Sequence, residues 1–322
     1  MQLSIEDGLH YRLPKPFNDP AWTARGERRA AVPLRRLETV WFNTGTLCNI
    51  DCAHCYIESS PRNDRLAYLT PADVAPFLDE IAALPEPVSL IGFTGGEPFM
   101  NPGFVAILEE TLSRGFETLT LTNALKPMEH RKADIVRLAK RYGSRFRVRV
   151  SLDDFRASVH DAERGQGAFA HALDGLIWLA RVGVALEVGA RELSGDPADD
   201  LRHGFAALFA ECGIGIDCED DEALLLLPEM RPGATPPEIT QACWDILKKS
   251  PDDVMCSCAR MVVKRKGASA PAVVACTLLP YDERFELGAS LAEASRAVPL
   301  SHPYCATFCV LGGGSCGSAR HA

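Results

Sequence analysis

Three cysteines near the amino terminus have the residue type and spacing of a metal centre. The segment LCNIDCAHCY places Cys48, Cys52 and Cys55 in a C-x3-C-x2-C pattern directly after an apolar run that predicts a strand. On this pattern alone two interpretations stay open: a structural zinc ion with His54 as fourth ligand, or an iron–sulfur cluster. Three thiolates would leave one iron of a four-iron cluster without a protein ligand. That position is then free for a substrate or cofactor.

A glycine-rich segment follows the next predicted strand, residues 88–93. The strand runs into Thr94, Gly95, Gly96, Glu97 and Pro98. Two glycines after a strand let a ligand approach the backbone closely, and a carboxylate can accept hydrogen bonds from an ammonium group. Taken alone, the segment is more typical of a tight turn between a strand and a helix.

Together, and in this order along the chain, the two motifs resemble those of the radical S-adenosylmethionine (radical SAM) enzyme superfamily, over roughly residues 37–220. The resemblance implies that Cys48, Cys52 and Cys55 hold a [4Fe–4S] cluster whose open iron binds the amino and carboxylate groups of S-adenosylmethionine. One electron from the reduced cluster then cleaves the cosubstrate to methionine and a 5′-deoxyadenosyl radical, which abstracts hydrogen from a bound substrate.

The resemblance also implies which residues contact S-adenosylmethionine. We expect the adenine to lie against Tyr56 and the methionine ammonium to be received by Gly95, Gly96 and Glu97. Less specific candidates lie where the third, fourth and fifth predicted strands end: Asn123, Ser151 with Asp153, and Arg191. Each of these four is equally typical of a turn, a helix cap or a surface charge.

Alternating strands and helices predict the fold that positions these residues. The predicted strands are residues 37–43, 88–93, 118–122, 146–152, 185–190 and 214–216. Strands separated by helices form a parallel sheet with right-handed crossovers. Periodicity does not distinguish an open doubly wound sheet from a partly closed barrel, whereas the resemblance implies an α/β partial (β/α)6 barrel. We expect an arm over residues 1–36, the core over 37–228, and a small cysteine-rich domain over 229–322.

Six further cysteines occupy the carboxy-terminal region: Cys256, Cys258, Cys276, Cys305, Cys309 and Cys316. A predicted hairpin, residues 261–264 and 272–276, brings two of them together, and spacing alone fits a zinc ribbon as well as an iron–sulfur site. After a radical SAM core, this region resembles a twitch domain, a shortened SPASM domain with an auxiliary [4Fe–4S] cluster. The implied ligands are Cys258, Cys276, Cys305 and Cys309, with Cys316 as a replacement for one of the last two. The C-x3-C-x6-C tail and the extra Cys256 depart from the family pattern.

These features predict an enzyme that dehydrogenates a small-molecule substrate or forms a bond oxidatively, aided by the auxiliary cluster and a reducing partner such as flavodoxin or ferredoxin. Redox-neutral epimerisation is an alternative, with Cys243 as the candidate hydrogen donor and Cys212 or Cys218 as replacements, although a buried structural role is more typical of each. Peptide maturation is another. A non-catalytic iron–sulfur or zinc protein is the rival from a different class.

Composition narrows the possible partners and location. The chain has 322 residues and a formal net charge of −9, which argues against a protein that coats nucleic acid or an anionic membrane. It has no apolar run of about 18 residues, so we expect no transmembrane helix. The first residues lack the pattern of a secretory signal. Twelve cysteines in a chain without such a signal favour metal binding in the reducing cytoplasm.

Overall fold

In the part of the chain that the structure describes, a nine-stranded sheet contains six parallel strands that are consecutive in the chain and lie side by side up to one edge of the sheet. The computed structural model describes residues 15–193, 195–230 and 235–314. The strands are β1 (Ala31–Val32), β2 (Thr39–Asn43), β3 (Leu90–Thr94), β4 (Thr118–Thr122), β5 (Phe146–Ser151), β6 (Ala185–Arg191), β7 (Leu224–Leu227), β8 (Ala259–Val263), β9 (Ala272–Val274), β10 (Glu286–Gly288) and β11 (Val298–Pro299). The order in the large sheet is β10-β9-β8-β2-β3-β4-β5-β6-β7. Every neighbouring pair from β2 to β7 is parallel.

Helices provide each crossover between these six strands. They are α1 (Pro71–Ala82), α2 (Phe104–Ser113), α3 (Lys126–Glu129), α4 (Lys132–Tyr142), α5 (Ala157–Arg164), α6 (Ala168–Val182) and α7 (Ala198–Cys212), while α8 (Cys243–Leu247) follows the sixth strand. α1 begins as the sequence predicts, because Thr70 and Asp73 form a capping box and Pro71 occupies the first turn. The predicted α/β class with a parallel core is confirmed.

The predicted position of the sixth strand is wrong. Residues 214–216 are not a strand; β7 lies at Leu224–Leu227 and pairs with β6 from Val188–Leu224 to Arg191–Leu227. α7 ends at Gly213, whose φ of 67° is left-handed, and the residues after it connect the helix to the strand. Within residues 239–249 the structure has one helix, α8.

The carboxy-terminal segment joins the central sheet. β8 pairs in parallel with β2, β9 pairs antiparallel with β8, and β10 pairs antiparallel with β9. The predicted hairpin is therefore present, and its first strand extends the parallel sheet. β1, which precedes the core in the chain, pairs with β11, which follows it.

The main hydrophobic core lies between the sheet and its helices. Phe42 and Phe93 stack with ring centroids 5.8 Å apart, and Phe104 of α2 meets Phe93 edge-on. Trp41 belongs to a second cluster of buried side chains on the other face of the sheet. Among the described helices, none is long and apolar enough to cross a bilayer.

Candidate functional site

The carboxyl ends of the parallel strands surround a cavity of about 200 Å³. The cavity is lined by Trp41 of β2 and by Leu225 of β7, the first and the last of the six parallel strands. The sheet therefore curls around the cavity, as a partial barrel does. Most of the sequence-predicted site residues line this one cavity: Cys48, Cys52, Cys55, Tyr56, Gly95, Gly96, Asn123, Ser151, Asp153 and Arg191. Parallel strands bring them together because their carboxyl ends share one edge.

The cysteine loop is fixed by contacts at both ends. The Cys48 amide donates to the carbonyl of Ser60 at 3.1 Å, and the Ala53 amide donates to the carbonyl of Glu163 at 2.8 Å. His54 Nδ1 lies 2.9 Å from a carboxylate oxygen of Glu163, so that histidine is engaged by α5. In the described ranges, no three Cys, His, Asp or Glu side chains are grouped closely enough to hold a single metal ion. The three thiols line a cavity instead, an arrangement that a multi-iron cluster can occupy.

Burial keeps two of these thiols protonated in the absence of a metal. It raises the pKa of Cys48 to about 12 and that of Cys52 to about 11. The guanidinium of Arg164 opposes the rise in pKa at Cys52. Because thiolates are the ligands of iron, cluster binding must release these protons.

Gly95 and Gly96 are required by the packing of the cysteine loop. A Cβ on Gly96 would lie 2.1 Å from the Leu47 carbonyl oxygen, and one on Gly95 would lie 2.4 Å from the Gly45 carbonyl oxygen. The Gly96 amide donates to that Gly45 oxygen at 2.8 Å. The two glycines therefore let their own backbone pack closely against residues 45–47, and they also line the cavity.

Glu97 joins the ends of two strands. Its carboxylate is 1% exposed and accepts hydrogen bonds from Phe99 N at 3.2 Å, Thr122 Oγ1 at 2.9 Å and Asn123 N at 2.9 Å. Burial raises the pKa of Glu97 to about 7, against the effect of these donors. Within the part of the chain that the structure describes, Glu97 is not one of the residues that line the cavity. Its contact with a methionine ammonium stays a prediction.

Asn123 connects this strand end to the cysteine loop. Its side-chain amide donates to Asn49 Oδ1 at 2.9 Å, and the same nitrogen lies 3.8 Å from the Cys48 sulfur. An amide donor next to a thiolate stabilises negative charge on sulfur. In this geometry Asn123 would stabilise a thiolate at Cys48.

Two arginines form a polar part of the cavity wall beside the cysteine loop. Arg164 donates two hydrogen bonds to Asp153, at 2.6 and 2.8 Å. Arg191 donates from Nε to the Tyr56 hydroxyl at 3.2 Å and from Nη1 to Glu163 at 3.2 Å. Its Nη2 atom is buried and has no hydrogen-bond partner among the residues described. A buried guanidinium nitrogen in a cavity wall is a donor available to an anionic ligand.

Several lining residues were missed by the sequence interpretation. Arg149 projects from β5, and the carboxy-terminal segment contributes Thr277, Leu278 and Phe308. Arg164 follows Asp153 by eleven positions, and the opposite charge of the two was the one signal that could have indicated their pairing. The three carboxy-terminal residues carry no chemical signature, so sequence could not have indicated them.

The carboxy-terminal cysteines surround a second, apolar cavity. Cys256, Cys276, Cys305 and Cys309 line it together with Leu279, Phe285 and Leu300. Cys258, a predicted ligand, is not among the described residues that line this cavity. Cys316 lies outside the described residues. Cys243 begins α8, where its sulfur accepts a hydrogen bond from Thr240 N at 3.3 Å, and it lines neither of the two cavities.

Comparison with known proteins identifies the core. Residues 42–190 match the family model of the radical SAM superfamily. The chain contains a radical SAM domain. The cofactors of such a domain are a [4Fe–4S] cluster and S-adenosylmethionine. The buried Arg191 nitrogen and the three thiols in one cavity wall fit this pair of cofactors.

Three curated relatives match part of the chain. The subtilosin biosynthesis protein AlbA of Bacillus subtilis is 29% identical over 52% of this chain and 35% of its own length. Mycofactocin maturase MftC of Mycolicibacterium smegmatis is 27% identical over 62% of this chain and 45% of its own. Fe-coproporphyrin III synthase of Methanosarcina barkeri is 31% identical over 42% and 32%. The chain thus spans about a third to under a half of the length of these relatives.

Solved structures share the fold at low sequence identity. SuiB of Streptococcus suis bound to S-adenosylmethionine superimposes with a TM-score of 0.57 at 14% identity, covering 79% of this chain and 64% of that protein. The protein anSMEcpe with bound AdoMet gives a TM-score of 0.53 at 15% identity, covering 80% and 76%. The partial-barrel architecture of the core is therefore shared with both.

Proposed function

We propose that Cys48, Cys52 and Cys55 hold the [4Fe–4S] cluster and that S-adenosylmethionine binds in the adjoining cavity. The observation that carries the proposal is a shared lining: the three cysteines and Arg191 line the same cavity, and the buried Nη2 of Arg191 has no hydrogen-bond partner among the described residues. When bound, the reduced cluster supplies one electron that converts S-adenosylmethionine to methionine and a 5′-deoxyadenosyl radical.

The residues of the chain bind and orient that cosubstrate. Arg191 offers a charge-assisted donor to the methionine carboxylate. Asp153, held by Arg164, keeps a fixed carboxylate at the cavity wall, where it can accept from a ribose hydroxyl. The ring of Tyr56 lies under the Arg191 guanidinium, 4.8 Å away, and presents an aromatic surface to the adenine.

Apolar side chains at the inner end of the cavity exclude water from the reaction. Trp41, Leu121 and Leu225 line this part of the barrel. A reactive carbon radical needs such a lining, because water and competing hydrogen donors would divert it. The substrate carbon therefore belongs between these side chains and the cosubstrate.

The proposed reaction is a two-electron oxidation of the substrate. Hydrogen-atom transfer gives 5′-deoxyadenosine and a substrate radical. An auxiliary cluster held by the carboxy-terminal cysteines that line the second cavity would supply an acceptor for one electron of that radical, and loss of one proton to solvent would leave a double bond or a bond to a neighbouring nucleophile. A flavodoxin or ferredoxin in the cytoplasm would reduce the first cluster and reoxidise the second.

A peptide is the substrate class that the relatives favour. AlbA is named for biosynthesis of a bacteriocin and MftC as a maturase, and SuiB has been crystallised with a precursor peptide. A small molecule, the expectation from sequence, is the second candidate, and the relative named Fe-coproporphyrin III synthase favours it.

Anaerobic reconstitution with iron and sulfide tests the proposal. The reduced protein should convert S-adenosylmethionine to 5′-deoxyadenosine, and replacing all three of Cys48, Cys52 and Cys55 by Ala should abolish this conversion. The control is His54→Gln. His54 lies in the same loop, where it contacts Glu163, and its replacement should leave the conversion of S-adenosylmethionine in place. A reconstituted wild-type protein that holds the cluster and yet yields no 5′-deoxyadenosine would disprove the assignment.

A further inference from the structure

We propose that an auxiliary [4Fe–4S] cluster is held by Cys256, Cys276, Cys305 and Cys309, with Cys256 in the place that the family resemblance gives to Cys258. The proposal deepens the proposed function, on which the identity of the second cluster rests. The four sulfurs come from three separate segments and line one cavity. Four thiolates complete the ligation of a four-iron cluster.

Cys256 lies on the cavity side of the turn before β8. The turn, Met255–Ser257, is a single 3-10 turn, and Cys256 packs within the main hydrophobic core. The ionisable group that interacts most strongly with its thiol is Cys305. Cys256 is therefore directed towards the segment that carries two of the other three ligands.

Cys258 is held in a different place by the start of β2. Its carbonyl accepts hydrogen bonds from Glu38 N at 2.8 Å and Thr39 N at 3.1 Å. Its thiol lies 3.5 Å from the Met255 carbonyl, and the ionisable group that interacts most strongly with it is Glu38. Cys258 thus lies against the start of β2 and is not among the described residues that line the second cavity.

A buried arginine supplies the charge that a four-thiolate cluster requires. Arg260 is 1% exposed and donates to the carbonyls of Ala259, Cys256 and Ala294 at 2.7, 2.7 and 2.8 Å. In the described portion of the chain it forms no ion pair. A buried cation with neutral partners alone is costly. The thiols of Cys256, Cys258 and Cys276 all interact with it, so an anionic cluster in the second cavity would balance its charge.

The second site adjoins the cavity proposed for the reaction. Cys276 lines the second cavity, Thr277 lines the first, and Leu278 lines both. Phe308, which precedes Cys309, also lines the first cavity. The wall between the two sites is therefore formed by neighbours of the cluster ligands, so a cluster held there is close to the bound substrate.

Iron content measured in two backgrounds tests the ligand set. The wild-type protein should reconstitute with about eight irons, four for each cluster. A first-site variant, with Cys48, Cys52 and Cys55 all replaced by Ala, should keep about four irons, as expected for one cluster. Adding Cys256→Ser to that variant should remove nearly all remaining iron, as well as the electron paramagnetic resonance signal of the reduced cluster. Adding Cys258→Ser should leave both, and circular dichroism checks that each variant is folded.

The outcomes separate this inference from the proposed function. Loss of iron with Cys258→Ser and retention with Cys256→Ser would overturn the ligand set. So would a first-site variant that binds no iron, or one that binds one zinc ion in its place. Loss of iron with Cys316→Ser would show that the four proposed thiolates are not sufficient. Failure of the wild-type protein to cleave S-adenosylmethionine would instead refute the proposed function. The iron content of the first-site variants would still show which cysteines hold the second cluster.

Discussion

Asp153 and Arg164 form a bidentate ion pair in the wall of the first cavity, with nitrogen–oxygen distances of 2.6 and 2.8 Å. The Asp153 side chain is 1% exposed and that of Arg164 is 14% exposed. Burial alone would raise the pKa of Asp153, but the adjacent guanidinium lowers it below its ordinary value. The pair therefore holds a carboxylate, ionised at neutral pH, beside Cys52.

Removing the cation of this pair should destabilise the fold strongly. We expect Arg164→Met to lower the free energy of unfolding by about 3–5 kcal/mol, because it leaves a buried carboxylate without its partner. Urea denaturation measures the change. The double variant with Asp153→Asn should recover part of the loss. Arg141→Met is the matched control, since Arg141 is exposed, and it should cost under about 1 kcal/mol. Equal losses in the two arginine variants would contradict this account.

Gly96→Ala should disturb the cysteine loop. The added methyl would lie 2.1 Å from the Leu47 carbonyl oxygen, so the backbone of one segment must move. We expect a loss of about 1–3 kcal/mol in unfolding free energy and weaker retention of iron at the first site. Gly215→Ala is the control, because a methyl added there would meet no described atom within 4 Å and the φ of Gly215 is not positive. It should change stability by under about 0.5 kcal/mol.

Strand ends were the predictable part of the site. Cys48, Asn123 and Arg191 each follow or end a strand, and a parallel sheet brings such positions to one edge whatever the details of packing. The direction of a side chain beyond the strand end was not predictable. Glu97 follows the glycine pair yet turns into the protein, because three donors satisfy its carboxylate there.

Spacing also could not decide between Cys256 and Cys258. The two residues lie on either side of the end of a short 3-10 turn, where neither a helical nor a strand period assigns a facing direction. The position of β7 was unpredictable for a related reason: its run of four leucines has no alternation, whereas Ile214 and Ile216 after α7 do alternate with glycine. Tertiary pairing with β6 decides that position.

His160 should make the protein sensitive to acid. It is fully buried, its Nδ1 accepts from Asp153 N at 3.1 Å, and burial lowers its pKa to about 4 from an ordinary value of 6.5. Between pH 6.5 and 4 the unfolded chain binds a proton that the folded chain does not. The unfolding free energy should therefore fall by up to about 3 kcal/mol as the pH drops through this window.

His160→Asn tests this pH dependence, because asparagine keeps an acceptor for the Asp153 amide and does not titrate. Urea denaturation at about pH 7 and about pH 5, on either side of the ordinary histidine pKa, should show a smaller difference for the variant than for the wild-type protein. His171→Asn changes an exposed histidine on α6 and should leave the wild-type difference in place. If the unfolding free energy of His160→Asn differs between the two pH values as much as that of the wild-type protein, the acid sensitivity belongs to other groups.

Arg191→Met should weaken binding of S-adenosylmethionine. Its Nη2 is the buried donor without a partner among the described residues, and a hydrogen bond to a charged group contributes about 1.5–3 kcal/mol, so we expect a roughly 10- to 100-fold rise in Kd. Equilibrium dialysis with the reconstituted protein measures it at matched iron content. Glu163→Gln keeps the guanidinium and should have the smaller effect. Unchanged affinity in Arg191→Met would leave Arg191 a structural residue.

Arg260 should set the potential of the second cluster. Its guanidinium is buried beside Cys256 and Cys276, and a nearby positive charge stabilises the reduced, more negative state of a cluster. Arg260→Met should therefore lower the midpoint potential, whereas Arg260→Lys, which keeps the charge, should change it less. A redox titration of the first-site variant, followed by electron paramagnetic resonance, isolates this cluster. Equal potentials in the Met and Lys variants would mean that the charge of Arg260 is balanced elsewhere and that its role is to hold the backbone carbonyls around β8.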